Sequence, residues 1–221
     1  MGQEQLRRRR SAEESDPPVL PAWASALGQH ALAAAPVLVG CTLTDRSGVV
    51  LRITEVEAYG AAGTILDPAS HAFRGPRQAN AAMFGPPGTA YVYRSYGIHL
   101  CLNIVCGPIG HGGGVLVRAG EVAAGEELVR ARRHGRRPLA SGPGNVGAAL
   151  SVSLADNGTS VFGGGPLLLQ SPDGMSRVAD LRSGPRIGIS RAVDLPWRFW
   201  DGGSSAVSPY RPTPRPRKHR A

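Results

Sequence analysis

Residues 90–106 read AYVYRSYGIHLCLNIVC, two apolar-rich runs on either side of a single glycine. β-branched and aromatic residues alternate with polar ones on either side of Gly97, so two strands, 90–96 and 98–106, meet about that glycine. Working outward, residues 37–44 and 49–59 read as strands separated by the turn Asp45-Arg46-Ser47-Gly48, and 114–122 as another. Helical composition marks 21–35 and 123–133, and Ser141-Gly142-Pro143-Gly144 is a turn opening a short helix at 146–150. Residues 60–88 are polar and loop-like, with a short helical stretch at 80–83, and two short strands, 166–170 and 186–190, close the pattern. Strands cluster early and helices scatter around them, which predicts an α+β domain rather than a parallel βαβ fold.

A chain of 221 residues suffices for one domain with a single core. The predicted organisation is a charged, proline-ended disordered arm at 1–18, a folded domain at 19–206 and a basic Pro/Arg-rich tail at 207–221. No run approaches eighteen apolar residues, and Arg7 to Arg10 lead into polar residues rather than the apolar stretch of a signal peptide. The expectation is a cytoplasmic protein without membrane association. Cys41, Cys101 and Cys106 form no CxxC pair, so they read as buried hydrophobes rather than as a disulfide framework or a zinc site.

The net charge of +9 points to a polyanionic partner, nucleic acid before membrane. Five of the positive charges, Arg211, Arg215, Arg217, Lys218 and Arg220, lie in the tail. Lys218 is the only lysine in the chain. A covalent mechanism through a Schiff base needs an amine in the core, so any hydrolytic chemistry here points to water as the nucleophile.

Several residues stand out as chemistry-bearing. In a regular strand Ile53, Glu55, Glu57 and Tyr59 share one face, with Glu57 at the end that runs into the long polar loop. For Glu55 a solvent-facing role weighs evenly against a functional one. Tyr91 and Tyr93 share a face, and Tyr96 falls on the other or in a turn before Gly97. These tyrosines suit an ordinary strand, and beside a basic chain they also suit stacking on bases. Asn103 sits within an apolar strand, where an unpaired amide costs about 1–3 kcal/mol, so it satisfies either the backbone or a ligand. His71 lies in a loop, where the pattern alone favours an ordinary polar surface residue, and Arg118 lies at a strand end, open to an ion-pair or a phosphate role.

Taken together, EVEAY (55–59), DPASHAFRGP (67–76), MFGPPGTAYVYRSYGIHLCLNIV (83–105), VLVRAGEV (115–122), SGPG (141–144) and GPRIGISRAVDLPWRFW (184–200) resemble the alkyladenine (3-methyladenine) DNA glycosylase family. The resemblance spans roughly residues 30–210. It implies a single α+β domain around a curved antiparallel sheet, without metal or organic cofactor. The expected partner is double-stranded DNA containing damaged purines, bound by a monomer at the bacterial nucleoid. By the same resemblance Glu57 is the general base that activates water, and Arg118 positions both. Tyr59, His71 and Tyr93 line the base pocket, and Tyr96 is the wedge that fills the gap left by the flipped base. Asn103 forms the pocket floor and disfavours the exocyclic amine of guanine, and Ile187 contacts the base edge through its backbone. The chain departs from the family pattern at Ala79 and Ala81, where phosphate-contacting arginines are expected, and at Asn145, where a basic residue often follows SGPG. Two rivals remain at this point. One is a lesion-binding module of the same fold that does not cut; the other is a carbohydrate hydrolase using Glu55 and Glu57, whose two-residue spacing is about 6–7 Å in a strand.

Overall fold

In a computed structural model, residues 20–172 and 178–210 are described. The arm at 1–18 and the tail from 211 onward lie outside them. Eight antiparallel strands form one curled sheet: β1 (Thr42–Asp45), β2 (Val50–Tyr59), β3 (Ala90–Ser95), β4 (His99–Cys106), β5 (Gly113–Ala124), β6 (Leu167–Gln170), β7 (Leu181–Gly184) and β8 (Arg198–Asp201). Strand order is β3-β4-β5-β2-β1-β6, with β8 also pairing β2 and β7 pairing β8. Helices α1 (Ala31–Leu38), α2 (Glu126–Arg132) and α3 (Pro143–Ala149) surround it, joined by 3-10 turns at Ala22–Gly28, Gln78–Phe84 and Leu154–Asp156. The expected α+β class with a curved antiparallel sheet is what the chain adopts.

β2 is the spine of this sheet. It runs antiparallel to β5 along one edge, while its first half pairs β1 and its second half pairs β8. Its register against β5 shifts at three places, two of them flanking Glu55: Ile53 faces Gly120, Glu55 faces Ala119 and Val56 faces Val117, which leaves Thr54 and Arg118 there as one extra residue on each strand. Such irregularities bend a strand and re-aim its side chains. The consequence corrects the sequence reading. Leu51 and Ile53 enter the core, but beyond Thr54 it is Val56 and Ala58 that do so. Ile53 therefore does not share a face with Glu57 and Tyr59.

Other boundaries move as well. Residues 21–35 divide into a 3-10 turn and α1, and α1 runs through Val37 and Leu38, so the strand expected at 37–44 begins only at Thr42. His30 starts α1 by accepting the Ala33 N–H on Nδ1 at 3.1 Å, a cap that the apolar composition does not announce. Residues 186–190 form no strand; β7 lies just before them and β8 just after. The three cysteines are buried and unpaired. Among the described residues no helix is long and apolar enough to cross a membrane.

Candidate active site

The face of the sheet opposite the core holds a cavity of about 770 Å³. Alternation along β3 and β4 places Ala90, Val92, Leu102 and Ile104 in the core and turns Tyr91, Tyr93, Cys101 and Asn103 into the cavity. From β5 come Leu116 and Arg118, from β2 Tyr59, and from the loop before β3 His71, Phe73, Arg74 and Arg77. Residues 187–191 close the far wall. Seven of the eight residues singled out from sequence line this space: Tyr59, His71, Tyr93, Tyr96, Asn103, Arg118 and Ile187.

Glu57 is the eighth, and it sits one layer behind. It is completely buried. Its Oε2 accepts from the Tyr59 hydroxyl at 2.8 Å and lies 3.4 Å from Arg118 Nη1, while Oε1 accepts the Ile187 N–H at 2.7 Å. Burial pushes its carboxyl above the ordinary value; Arg118, the Ile187 amide and the Tyr59 hydroxyl pull it back, and the neighbouring Glu55 pushes it up further. The result is a desolvated carboxylate held by three donors, each belonging to a residue that lines the cavity.

Glu55 has a structural role, and the solvent-facing alternative fails because it is fully buried. It accepts from Arg198 Nη1 at 2.8 Å, from the Ser208 N–H at 2.7 Å and from the Ser208 hydroxyl, and lies 3.6 Å from Arg118 Nε. Arg118 thus stands between two buried carboxylates, with no hydrogen-bond partner on its own Nε. These contacts commit Glu55 to holding Arg198, Ser208 and Arg118, which removes it from the acid–base pair that a carbohydrate hydrolase would need.

The aromatic walls are organised around His71. Its Nδ1 is 2.9 Å from the Tyr91 hydroxyl, and its ring meets Tyr93 edge-on at 4.6 Å between centroids. Tyr91 and Tyr93 stack at 5.6 Å. Partial desolvation lowers the His71 pKa, and burial lifts Tyr91 to about 12, so near neutral pH the imidazole is uncharged and the phenol keeps its proton. Tyr91 then donates to Nδ1, which leaves the proton on Nε2. Asn103 is buried and its Nδ2 donates to the Tyr91 carbonyl at 3.2 Å, so part of the amide serves the backbone while the side chain still lines the cavity.

Tyr96 stands at the tip of the β3–β4 hairpin, and the turn alternative for it is the correct one. Tyr96 and Gly97 both have positive φ (49° and 71°), and the Ile98 N–H donates to the Ser95 carbonyl at 3.0 Å, the pattern of a type I′ turn. The tyrosine is 89% exposed. A bulky aromatic in this conformation, with nothing to pack against, is strained without any return from the fold itself.

The rim is basic. Arg74, Arg77, Arg94 and Arg191 line the opening and are exposed, and among the described residues no acidic side chain lines the cavity. Among the described residues none of these four forms an ion pair. Ala79 and Ala81 are exposed beside them, so the arginines missing there have neighbours of the same charge in the same loop. Asn80 between them braces that loop, donating from Nδ2 to the carbonyls of His71 at 2.8 Å and Gly75 at 3.1 Å. Sequence reading missed this rim, and also the buried pairs Asp67–Arg186 and Glu55–Arg198. Their partners lie more than a hundred residues apart, and no local period connects them.

A curled antiparallel sheet whose open face carries an aromatic, basic-rimmed cavity backed by a buried carboxylate defines a class of base-excising enzyme. The profile described as Methylpurine-DNA glycosylase (MPG) matches residues 25–205, and the chain belongs to that family. It is a DNA glycosylase, a hydrolase of N-glycosyl bonds that acts on DNA in repair. It is 50% identical over 198 residues to a protein of Frankia casuarinae, covering 84% of this chain and 91% of that one. A protein of Nocardia farcinica is 51% identical over 189 residues (82% and 88% covered), and one of Corynebacterium glutamicum 52% over 190 (85% and 87%). All three carry the name "Putative 3-methyladenine DNA glycosylase".

Proposed function

We propose that this protein is a monofunctional glycosylase that flips alkylated or deaminated purines out of duplex DNA and hydrolyses their N-glycosidic bond with water activated by Glu57. The observation that carries this reading is the Glu57 carboxylate itself, fully buried yet held by three donors at the back of an aromatic cavity. Hydrolysis at the anomeric carbon passes through an oxocarbenium-like state, which a desolvated carboxylate stabilises while it takes a proton from the attacking water. General-base assistance of this kind is worth about 10²–10⁴-fold. Arg118 keeps Glu57 ionised and orients the water. Among the described residues no lysine lines the cavity, which supports hydrolysis over Schiff-base chemistry.

The remaining residues divide the work of recognition. Tyr59, His71 and Tyr93 stack on the extruded purine or donate to its edge, and Asn103 opposes the exocyclic amine of normal guanine. The Ile187 N–H is engaged by Glu57, so any contact of this residue with the base edge falls to the rest of its backbone. Tyr96 enters the stack from the minor groove and offsets part of the few kcal/mol that extrusion costs. The basic rim takes the phosphates on either side.

One observation favours a second reading. Both Glu57 oxygens are occupied and the residue does not itself line the cavity, as in a module of this fold that binds lesions without cutting. Single-turnover base release from duplexes carrying 7-methylguanine, hypoxanthine or 1,N6-ethenoadenine, wild type against Glu57→Gln, separates the two. Release without strand nicking, reduced at least about 10²-fold in the variant while lesion binding persists, is the expected result. Tight lesion binding by the wild type without any release would establish the binding module instead.

A further inference from the structure

Behind the cavity wall lies an ion pair whose two members do not themselves line the cavity. Arg186 and Asp67 have side chains with no exposure to solvent, joined by two parallel bonds of 2.7 Å. A buried pair of this sort is weak evidence for stability, because desolvating both charges offsets most of their attraction. What these two groups connect is more informative than their energy.

Asp67 begins the turn that carries His71, and its carboxylate also accepts the N–H of Ala69 and of Gly60, each at 3.1 Å. Gly60 follows Tyr59 directly. Arg186 Nη1 reaches the Ala58 carbonyl on β2 at 2.8 Å, and its guanidinium lies between the Tyr59 ring (4.6 Å) and the buried Trp197 ring (5.2 Å). The next residue in the chain is Ile187, whose N–H holds Glu57. Three walls of the pocket therefore meet at one planar fork. The loop bearing His71, the Tyr59 ring and the strap bearing Ile187 each have a direct contact with Asp67 or Arg186, or adjoin a residue that has one.

We propose that Asp67 and Arg186 are positioning residues for the reaction, locking His71, the Tyr59 wall and the Ile187 amide into the one arrangement that holds Glu57 ready for catalysis. The proposal rests on Glu57 acting as the base, and it predicts more than a loss of stability. The groups facing Glu57 are Arg118 on β5, Tyr59 and Glu55 on β2, Tyr93 on β3 and the Ile187 amide, with Arg198 behind Glu55. Of these, the Ile187 N–H is the one that Arg186 places. Loosening it removes a donor that favours the ionised carboxylate, so the Glu57 pKa rises, and the pH below which activity is lost rises with it.

The test uses the full chain and a duplex containing 7-methylguanine, a lesion already cationic, so that protonation of the leaving base does not enter the pH profile. Single-turnover rates from pH 5 to 9 are compared for wild type, Glu57→Gln, Arg186→Lys and the double variant Asp67→Asn/Arg186→Met. The double substitution removes both charges together and keeps an amide oxygen for the backbone donors; Arg186→Lys keeps the charge but loses the planar fork and its stacking. For each variant that melts cooperatively, affinity for undamaged duplex is expected to stay within about 2-fold, because the rim arginines are untouched. The plateau rate should fall about 10²-fold, and the acid limb should move up by about half a pH unit. If the double variant does not fold, Arg186→Lys alone carries the test, with the same shift expected. A folded variant with a rate within twofold of wild type and an unmoved acid limb overturns the proposal. Undiminished activity in Glu57→Gln would instead overturn the reading of the base, a separately visible outcome.

Discussion

Tyr96→Asn should make the protein more stable and worse at its task. The left-handed backbone at Tyr96 (φ 49°) costs an ordinary L-residue about 1–2 kcal/mol, whereas asparagine tolerates it. With 89% of the tyrosine exposed, almost no packing is lost in exchange. A net gain of about 1 kcal/mol in a domain of this size corresponds to a rise in Tm of about 2–4 °C. On DNA the balance reverses, because an aromatic that stacks in the duplex is worth about 1–3 kcal/mol, or about 5–150-fold in affinity. The two effects are read on one pair of proteins, thermal denaturation for stability and fluorescence anisotropy with an ethenoadenine duplex for binding. Placing both in a Glu57→Gln background prevents turnover during titration. A lower Tm would show that the turn is not strained as argued. An unchanged lesion affinity would remove Tyr96 from the wedge role.

Other consequences are simpler to check. Arg74→Gln and Arg94→Gln should each reduce the slope of log affinity against log salt by about 0.9, leaving the saturated rate of base release within about 2-fold of wild type, as expected of phosphate contacts. With a permanently cationic lesion, activity should be lost as pH falls through the raised Glu57 pKa, so its acid limb should lie above the ordinary carboxylate value of about 4.3; a limb at or below that value would contradict a desolvated base. Gly147→Ala in α3 would drive its Cβ into the Leu100 carbonyl on β4, where the backbone cannot give way easily. A loss of at least about 1–3 kcal/mol is expected, seen as a Tm lower by about 4 °C or more.

The legible parts of this protein in sequence were those with a short period. Alternation over 90–96 was enough to place Tyr91 and Tyr93 on one face, because β3 is regular throughout; the pairing with β4 then sets Asn103 opposite Tyr91, which no local pattern states. The same reasoning failed on β2, where one extra residue at Thr54 switches the phase and sends Ile53 to the opposite face from Glu57. No propensity marks such a slip; it is set by pairing with β5, which carries its own extra residue at Arg118. Residues 186–190 read as a strand for a related reason. Ile187 and Ile189 alternate like strand residues, but Arg186 is committed to Asp67 and the Ile187 N–H to Glu57, leaving no ladder for the segment to join. Local pattern also carried no trace of the basic rim, whose arginines come from the loop before β3, from β3 itself and from the segment before β8.

The slip in β2 explains why Glu57, the proposed base, stands where it does. A regular strand would continue the alternation of Leu51 and Ile53 through Glu55 and Glu57, placing two carboxylates in the hydrophobic core without partners, at a cost no fold of this size bears. With Thr54 inserted, both carboxylates pass to the other face and each meets its own arginine: Glu55 meets Arg198, and Glu57 meets Arg118. The insertion on β5 falls on Arg118 itself, the side chain that lies between the two. Glu55, hydrogen-bonded to Arg198 and Ser208, is committed to structure. Glu57 accepts from groups that all lie on the cavity wall, so its carboxylate stands one layer behind the space where we propose the purine enters. One irregular residue on each strand, Thr54 and Arg118, thus separates a structural carboxylate from the proposed base only two positions away.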